Sequence, residues 1–559
     1  MHWFFGQRGP SDGAAPPDGD GPARHSGGRA AADDGSTTGL ISFPPALLQR
    51  HGARVLNPAE AATAVPGSVP PRSTVYRARS LLVPGTLLRD DNAAPVNEVL
   101  ARVGMKLAVP APGVAPQPGE DGEDGRPGNE RVAQFLRVLP RPVALTVADN
   151  TDDTTARPVV IDAWVALQAL HAAVVTGKRH QLRAEDVAGI SLEHLLVGSA
   201  ITGSPASGSG GGLAAGPSEG GGVTGPTTTD SYTYSGGDTR APVALCLPMP
   251  IRECAEKYLG IYGRRPVLAV VDTGVRAHPW LDVMANSGGG YDTDETDGFV
   301  AVDFPVQDAI FQVSQQAAEA GDLPREPIDG PWDRPVTADP LVGELDTDTG
   351  HGTFIAGLVR QIVPDATVLA LRVMHSDGVV YEGDLLCALG RLAARVALAE
   401  AGTGTGIGSM ATMVDVVSLS LGYFDETADD ASFSTGLLQV IDLLLSLGVP
   451  VVAAAGNFAT SRKFFPAAFT QSPPPPGQVP MISVGALNPN GSKALFSDGG
   501  RWVTAWAPGA AVVSTFPVDI NGSRGPELRM PAHPANEMPP GVSLPPEREA
   551  LDPDDYRGG

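Results

Sequence analysis

The second half of the chain alternates short apolar runs with segments of helical periodicity. Runs of apolar and β-branched residues are typical of buried strands, and apolar residues repeated every three or four positions are typical of helices. The predicted strands are Val267–Asp272, Ala366–Val373, Val414–Gly422, Val449–Gly456 and Met481–Leu487, and the predicted helices are Gly352–Val363, Glu382–Ala401 and Phe433–Leu447. This alternation predicts an α/β domain over residues 241–559, with a mainly parallel sheet and helices on both faces.

The first 240 residues divide into three parts by composition. Residues 1–73 are rich in Gly, Ala, Pro and Asp and are predicted to be mostly disordered. Residues 74–200 mix strand-like and helical patterns, which is typical of a small α+β accessory region. Residues 201–240 carry glycine and threonine runs without an apolar period, so we interpret them as a linker.

Within residues 74–200 the pattern predicts five elements. Ser73–Ala78, Val138–Pro140 and Val143–Val147 are expected to be extended, and Val96–Ala108 and Ile161–Val175 are expected to be helical. The last segment is amphipathic, with Trp164, Leu167, Leu170 and Val174 on one face.

Composition narrows the partners and the compartment. The net charge of −24 argues against nucleic acid or an anionic membrane as the main partner. The longest apolar stretch, Leu443–Gly456, is too short and too interrupted to span a bilayer, and no signal peptide is visible at the N-terminus. The three cysteines, Cys246, Cys254 and Cys387, have no metal-binding spacing, and we expect free thiols, or a single Cys246–Cys254 bridge if the protein is exported.

One strand ends where α/β sheets place their functional sites. The apolar run from Val267 ends on Asp272, and Thr273-Gly274 follow. The carboxyl ends of parallel strands are the usual location of such sites. Downstream, His351 lies between two glycines at the start of a predicted helix, where a strand-end carboxylate can approach it closely. A carboxylate that accepts the Nδ1 proton of a histidine fixes its tautomer, as in the Asp-His-Ser hydrolases.

Two further strands end in candidate binding groups. Val451–Ala455 leads to Gly456-Asn457, and an amide at that place can donate to the oxyanion of a tetrahedral intermediate. Ser418–Gly422 is an apolar run that closes on glycine, and its edge can pair with an extended peptide or serve as a plain core strand.

Together these stretches resemble the subtilisin-like serine proteases of the S8 peptidase family. The resemblance covers about residues 250–517. The residues that carry it are Val270–Gly274, His351–Thr353 with Ala356-Gly357, Ser420–Gly422, Ala454–Asn457, Val484–Ala486, Phe496-Ser497, and Ala507–Gly509 with Ser514-Thr515.

The resemblance implies a serine endopeptidase with a polypeptide substrate. Asp272 would orient His351, His351 would act as general base and then general acid, and Asn457 would donate to the oxyanion. The primary specificity pocket would be lined by Ser420, Leu421, Gly422, Ala454, Ala455 and Gly456. The accessory region of residues 74–200 would be a propeptide that folds or inhibits the protease, or else a targeting or partner-binding domain.

The nucleophile of the family is the main departure. The family places its serine in a G-T-S-x-A-x-P block, and no such block follows Thr515. Ser523 comes in the right order but lacks the preceding threonine, and Pro526 disfavours a helix there. We expect that the sequence is a fragment that stops before the serine; the alternative is an inactive, peptide-binding pseudoenzyme.

Cofactor and location are less constrained. Relatives often bind calcium, and Asp292–Gly298 is acidic, but it lacks a full EF-hand pattern, so we interpret it as a solvated loop and assign no metal. Without an export signal the default compartment is the cytoplasm, whereas the resemblance leaves secretion open. Oligomeric state is left open as well.

Overall fold

The computed structural model describes most of the chain outside its termini and long loops. It covers residues 41, 43–63, 70–89, 92–109, 130–148, 160–176, 182–198, 248–287, 290–294, 297–321, 324–339, 344–402, 413–426, 435–471, 477–522 and 556–557. All of these belong to one unit, residues 38–559. Of the segment 1–73 that is predicted to be mostly disordered, residues 1–40, 42 and 64–69 lie outside the described residues, whereas Pro45–Arg50 form a helix and Ala53–Val55 a strand. The predicted linker 201–240, Cys246 and Ser523 also lie outside the described residues.

A seven-stranded parallel sheet is the centre of the fold. In chain order its strands are β6 (Val267–Asp272), β9 (Val300–Val302), β12 (Thr367–Arg372), β14 (Val416–Leu419), β16 (Val451–Ala454), β17 (Ile482–Leu487) and β18 (Ala505–Pro508). In space the order is β18-β17-β16-β14-β6-β12-β9, and every neighbouring pair is parallel. Each strand is a nearly continuous apolar run because the sheet is covered on both faces.

Helices cover both faces of this sheet, as the sequence predicts. Ala269 and Val271 of β6 pack with the long helices on one face, and Val270 between them packs with Ala356 on the other. The helices of this half are α6 (Ala255–Tyr262), α7 (Phe304–Ala320), α8 (His351–Ile362), α9 (Glu382–Glu400) and α10 (Thr435–Ser446). The predicted α/β class with a parallel sheet is confirmed.

The remaining elements of this half are short. They are β7 (Val283–Ala285), β8 (Tyr291–Thr293), β10 (Thr337–Asp339), β11 (Glu344–Leu345), β13 (Val379–Tyr381), β15 (Leu421–Gly422), β19 (Asn521–Gly522), β20 (Tyr556–Arg557) and 3-10 turns at Pro279–Leu281 and Ala467–Gln471. Among the described residues, no helix combines the length and apolar character needed to cross a bilayer.

The N-terminal part is an antiparallel sheet covered by helices. Its strands are β1 (Ala53–Val55), β2 (Val75–Val83), β3 (Met105–Leu107), β4 (Arg141–Val147) and β5 (Ser191–Gly198), and its helices are α1 (Pro45–Arg50), α2 (Ala94–Ala101), α3 (Glu130–Val138), α4 (Ala163–Thr176) and α5 (Ala184–Val187). The main strands lie in the order β5-β2-β4-β3, with β1 on β2. Two β-α-β units thus share one sheet, and the α+β character of the accessory region is confirmed.

Three predicted segments differ from the structure. The predicted helix Val96–Ala108 is wrong beyond Ala101, because Gly104 turns at φ 77° and the chain continues as β3. The predicted extended segment Val138–Pro140 is wrong at Val138, which ends helix α3. Val414–Gly422 is not one strand, since β14 ends at Leu419 and Leu421-Gly422 pair with a different sheet.

The accessory sheet extends into the second half of the chain through β5. Strand β5 pairs antiparallel with β13 on one side, where Val197 lies opposite Val379, and with β15, where Val197 lies opposite Gly422. The end of β5 therefore lies between two strands of the α/β domain. This joint is backbone pairing, so it does not depend on shape complementarity of side chains alone.

A buried ion triad reinforces the joint. Arg325 donates to Glu193 of β5 over 2.7 Å and to Asp384 of α9 over 2.8 Å, and all three side chains are 0% exposed. The guanidinium also stacks on the Tyr381 ring, with its Cζ 4.4 Å from the ring centroid. Burial alone would lower the pKa of Arg325, but the two carboxylates raise it above its ordinary value.

We predict that Glu193→Ala destabilises the protein by about 3 kcal/mol, because it leaves Arg325 with one carboxylate where it had two. The check is the free energy of unfolding from urea denaturation. The matched control is Glu400→Ala at the exposed end of α9, which is expected to change that energy by less than about 0.5 kcal/mol. Equal losses in the two variants would show that the triad does not stabilise the joint.

Candidate active site

Asp272 and His351 form a hydrogen-bonded pair at the carboxyl edge of the sheet. Asp272 is the last residue of β6, and His351 is the first residue of α8. The Nδ1 atom of His351 lies 2.8 Å from Oδ1 of Asp272, with side chains 12% and 1% exposed. In this geometry the ring N–H donates to the carboxylate, and Nε2 is the nitrogen left for proton transfer.

Two glycines allow the helix to reach the strand. A Cβ at Gly352 would overlap the carbonyl oxygen of Gly274, so no larger residue fits without moving one of the two segments. Gly274 itself has φ 88°, a conformation that favours glycine. The Oγ1 of Thr273 accepts the N–H of Gly352 over 3.0 Å, which ties the first turn of α8 to the end of β6.

Two further carboxylates lie beside the pair. Asp333 Oδ2 accepts the N–H of Gly350 over 2.7 Å and the Thr273 hydroxyl over 3.2 Å. Asp348 lies one turn before His351, whose N–H donates to its carbonyl oxygen over 3.0 Å. Burial raises the pKa of Asp333 to about 7 and that of Asp348 to about 6. Sequence analysis missed both; Asp348 is near His351 in sequence, whereas nothing in the pattern marks Asp333.

These carboxylates set the protonation of the imidazole. Burial alone would lower the pKa of His351, but Asp272, through its charge and its hydrogen bond, and then Asp348 and Asp333 raise it to about 9. The imidazolium is therefore the dominant form at neutral pH in this structure. A role as general base requires the neutral ring, so it becomes available as the pH rises toward 9.

The other predicted site residues lie at the same edge of the sheet. Strands β16, β14 and β6 are neighbours, and their carboxyl ends lead to Asn457, Ser420 and Asp272 respectively. Leu421 and Gly422 pair with β5, and a Cβ at Gly422 would overlap the Phe464 ring and the Phe465 carbonyl oxygen. The predicted pocket residues Ala454, Ala455 and Gly456 form the end of β16 and the turn before Asn457.

Asp498 holds the turn that carries Asn457. Its Oδ1 accepts the N–H of Phe458 over 2.8 Å and the N–H of Thr460 over 3.0 Å, and its own N–H donates to the Gly456 carbonyl. Burial raises the pKa of Asp498 to about 8, although the two N–H donors act in the opposite direction. Sequence analysis missed this residue, because a single acid in a loop 41 residues downstream of Asn457 carries no periodic signal.

Two acids of the predicted solvated loop, Asp292 and Asp297, are paired with nitrogen donors of neighbouring side chains. Asp297 pairs with Arg265, over 2.5 Å to Nε and 2.8 Å to a terminal nitrogen, and Asp292 accepts from Asn286. Within the described ranges, no group of three or more His, Cys, Asp or Glu side chains is placed to hold a metal ion. Cys254 and Cys387 are free thiols.

The fold and the position of these residues define a subtilisin-like α/β domain. Residues 263–533 match the model of the Subtilase family. Subtilisin DY of Bacillus licheniformis is 31% identical over 191 residues, which are 31% of this chain and 58% of that protein. Residues 263–533 therefore resemble the subtilases both in sequence and in their parallel α/β sheet.

Further relatives agree with this assignment. An extracellular protease of Xanthomonas campestris pv. campestris is 28% identical over 45% of this chain and 38% of that protein, and thermitase of Thermoactinomyces vulgaris is 27% identical over 31% and 54%. The chain thus spans between 38% and 58% of the length of these three relatives. A solved structure described as "Crystal Structure of a Lanthipeptide Protease" overlaps 47% of this chain and 66% of that chain at 17% identity, but its TM-score of 0.28 is too low to support an argument.

We predict that Asp498→Asn flattens the pH dependence of stability. In the wild type, the folded state holds the Asp498 proton up to about pH 8 while the unfolded state loses it near pH 4, so this group costs stability as the pH rises between these values. The amide keeps an acceptor for the two N–H groups and has no proton to lose. The slope of the unfolding free energy against pH should therefore change by about 1.4 kcal/mol per unit over this range. Identical slopes in variant and wild type would contradict the assignment.

Proposed function

We propose that the chain belongs to a serine-type endopeptidase and supplies its aspartate, histidine and oxyanion amide. The observation that carries the proposal is the 2.8 Å pair between Asp272 and His351 at the carboxyl edge of a subtilisin-like sheet. The relatives that the chain matches are named as subtilisins and proteases, which supports the same class of reaction.

The reaction proceeds through an acyl-enzyme. Neutral His351 takes the proton of a serine hydroxyl through Nε2 as the oxygen attacks the peptide carbonyl, and Asp272 stabilises the imidazolium that forms. Asn457 donates an N–H to the oxyanion of the tetrahedral intermediate. The imidazolium then gives its proton to the leaving amine, the C–N bond breaks, and water hydrolyses the ester by the same steps.

The serine of this mechanism is not assigned to a residue. In the part of the chain that the structure describes, no hydroxyl group is hydrogen-bonded to the His351 ring. The pairing of the end of β5 between β13 and β15 also supports a second candidate function, an inactive protein that binds extended peptides at the same edge. Both candidates use the same cleft and differ only in whether a nucleophile reaches His351.

The substrate is a polypeptide bound as an extended strand between β13 and β15. The occupant of that place in this structure is the end of β5, which pairs antiparallel with both strands. Backbone pairing of this kind binds peptides with little dependence on sequence, and pockets for alternate side chains add specificity. The accessory region is accordingly proposed to act as a propeptide-like inhibitor, since β5 fills the cleft that a substrate needs.

The test is labelling of the full-length protein by a fluorophosphonate, which reacts with an activated serine. We predict that the rate rises with pH toward about 9, because neutral His351 is required and its pKa is raised to about 9. His351→Ala should slow labelling roughly 100- to 10,000-fold.

The matched control is Asp308→Asn on the exposed face of α7, compared with Asp272→Asn in the site. Only the change at Asp272 should slow labelling. A correctly folded protein that is not labelled, yet binds an extended peptide, would contradict the peptidase and support the inactive peptide-binding protein.

A further inference from the structure

The register of β5 places one side chain of the accessory strand in a charged pocket of the α/β domain. Val197 lies opposite Gly422, and the N–H of Gly198 donates to the carbonyl of Gly378 over 2.8 Å. Three residues before Val197 on the same strand is His194. A polypeptide bound in this cleft in the same register would place a side chain at the same position.

His194 is held between two carboxylates of the α/β domain. Its Nδ1 lies 2.7 Å from Oε2 of Glu382, and its Nε2 lies 2.7 Å from Oε2 of Glu426. The three side chains are at most 5% exposed. The imidazole also stacks on the Tyr423 ring, with 4.4 Å between the centroids. Burial alone would lower the pKa of His194, but Glu426 and Glu382 raise it well above its ordinary value, so the ring is an imidazolium.

The pocket offers more negative charge than His194 neutralises. Two carboxylates share one imidazolium, and Oε1 of Glu382 is buried without a hydrogen-bond partner. The nearby cations are engaged elsewhere: Arg325 pairs with Glu193 and Asp384, and Arg462 donates to the carbonyls of Ser73 and Asp425.

Helix α4, which carries His171, and the segment before β2 also supply groups that interact with Glu426. The charge of Arg462 acts on Glu426, as does that of His171 when its ring is protonated, although burial lowers the pKa of His171. The backbone N–H of Arg72 donates to the Glu426 carbonyl. None of these groups fills the position of the His194 ring between the two carboxylates.

We propose that Glu382 and Glu426 form an acidic subsite of the peptide-binding cleft, which accepts a lysine, arginine or histidine three residues before the residue that faces Gly422. The proposal rests on the proposed function of this cleft as a polypeptide site. In this structure His194 occupies the subsite. A neutral side chain there would leave two buried carboxylates without a counter-charge, and an acidic one would add repulsion. Lysine and arginine have donors to reach Oε1 of Glu382 as well, and Tyr423 presents an aromatic face to their charge.

The first test exchanges the occupant within the full-length protein. Hydrogen exchange of the amides of residues 195–198 reports how often the end of β5 leaves the cleft. At neutral pH, His194→Lys should exchange within threefold of the wild type, whereas His194→Gln should exchange at least tenfold faster. In a Glu382→Gln/Glu426→Gln background the order should reverse, with the lysine variant exchanging faster than the glutamine variant.

Protection of the β6 amides, residues 268–272, is the control for intact folding. If the double variant Glu382→Gln/Glu426→Gln loses this protection, the single variant Glu382→Gln replaces it. The single variant should reduce the difference in amide exchange rate between His194→Lys and His194→Gln. Equal exchange of the lysine and glutamine variants in the presence of both carboxylates would overturn the subsite.

The second test measures specificity toward peptides in solution. Fluorogenic peptides that contain Xaa-Leu-Leu-Val-Gly, with Xaa as Lys, Gln or Glu, reproduce the register of residues 194–198. The lysine peptide should be cleaved with at least tenfold higher kcat/KM than the glutamine peptide, and the glutamate peptide should be the poorest substrate. In the double variant Glu382→Gln/Glu426→Gln, the lysine and glutamine peptides should be cleaved with about equal kcat/KM.

The two tests separate the subsite from the proposed function. Cleavage of all three peptides at equal rates would overturn the subsite and leave the peptidase standing. Cleavage of none, although the peptides displace β5 and so speed the exchange of the amides of residues 195–198, would contradict the peptidase, and the exchange measurement would then decide the subsite alone.

Discussion

Gly352 and Gly274 lie in contact where the helix that begins at His351 meets the turn that follows β6. Because Gly352 has no Cβ, the helix terminus approaches the backbone of Gly274 closely enough for a 2.8 Å bond between His351 and Asp272. The parallel sheet fixes Asp272, and the Thr273 hydroxyl fixes the first turn of the helix. With any larger residue at position 352, the two segments would separate and the carboxylate would no longer control the imidazole.

The same edge of the sheet is where the accessory region is attached. Glu193 and His194 are adjacent on β5, and each meets the opposite charge on the α/β domain, at Arg325 and at Glu382 with Glu426. These charges are buried, so each is costly without its partner. The joint therefore combines backbone pairing, which any extended chain can make, with a charge pattern that only some chains satisfy. Under the proposed function, this combination would link inhibition by the accessory region to substrate preference.

Much of the fold could be predicted because its strands are buried on both faces and read as continuous apolar runs. Asp272 and His351 could also be predicted as site residues, because each is followed within two residues by a glycine, which allows close approach of the backbone. Asp333 and Asp498 could not be predicted, because they reach the site from distant loops. The helix Val96–Ala108 was wrong because apolar spacing does not reveal the turn at Gly104. The docking of β5 depends on non-local pairing, although Glu193 and His194 within an apolar run were a signal of buried charge.

The central claim is that buried carboxylates around His351, Asp272 first among them, hold its imidazole in the charged form. The most direct measurement is an NMR titration of the histidine side chains in the full-length protein, with the His351 signal assigned by its loss in His351→Gln. The account predicts that His351 titrates near pH 9 and that Asp272→Asn lowers this value. A His351 that titrates near 6.5, and is unmoved by the change at Asp272, would contradict it.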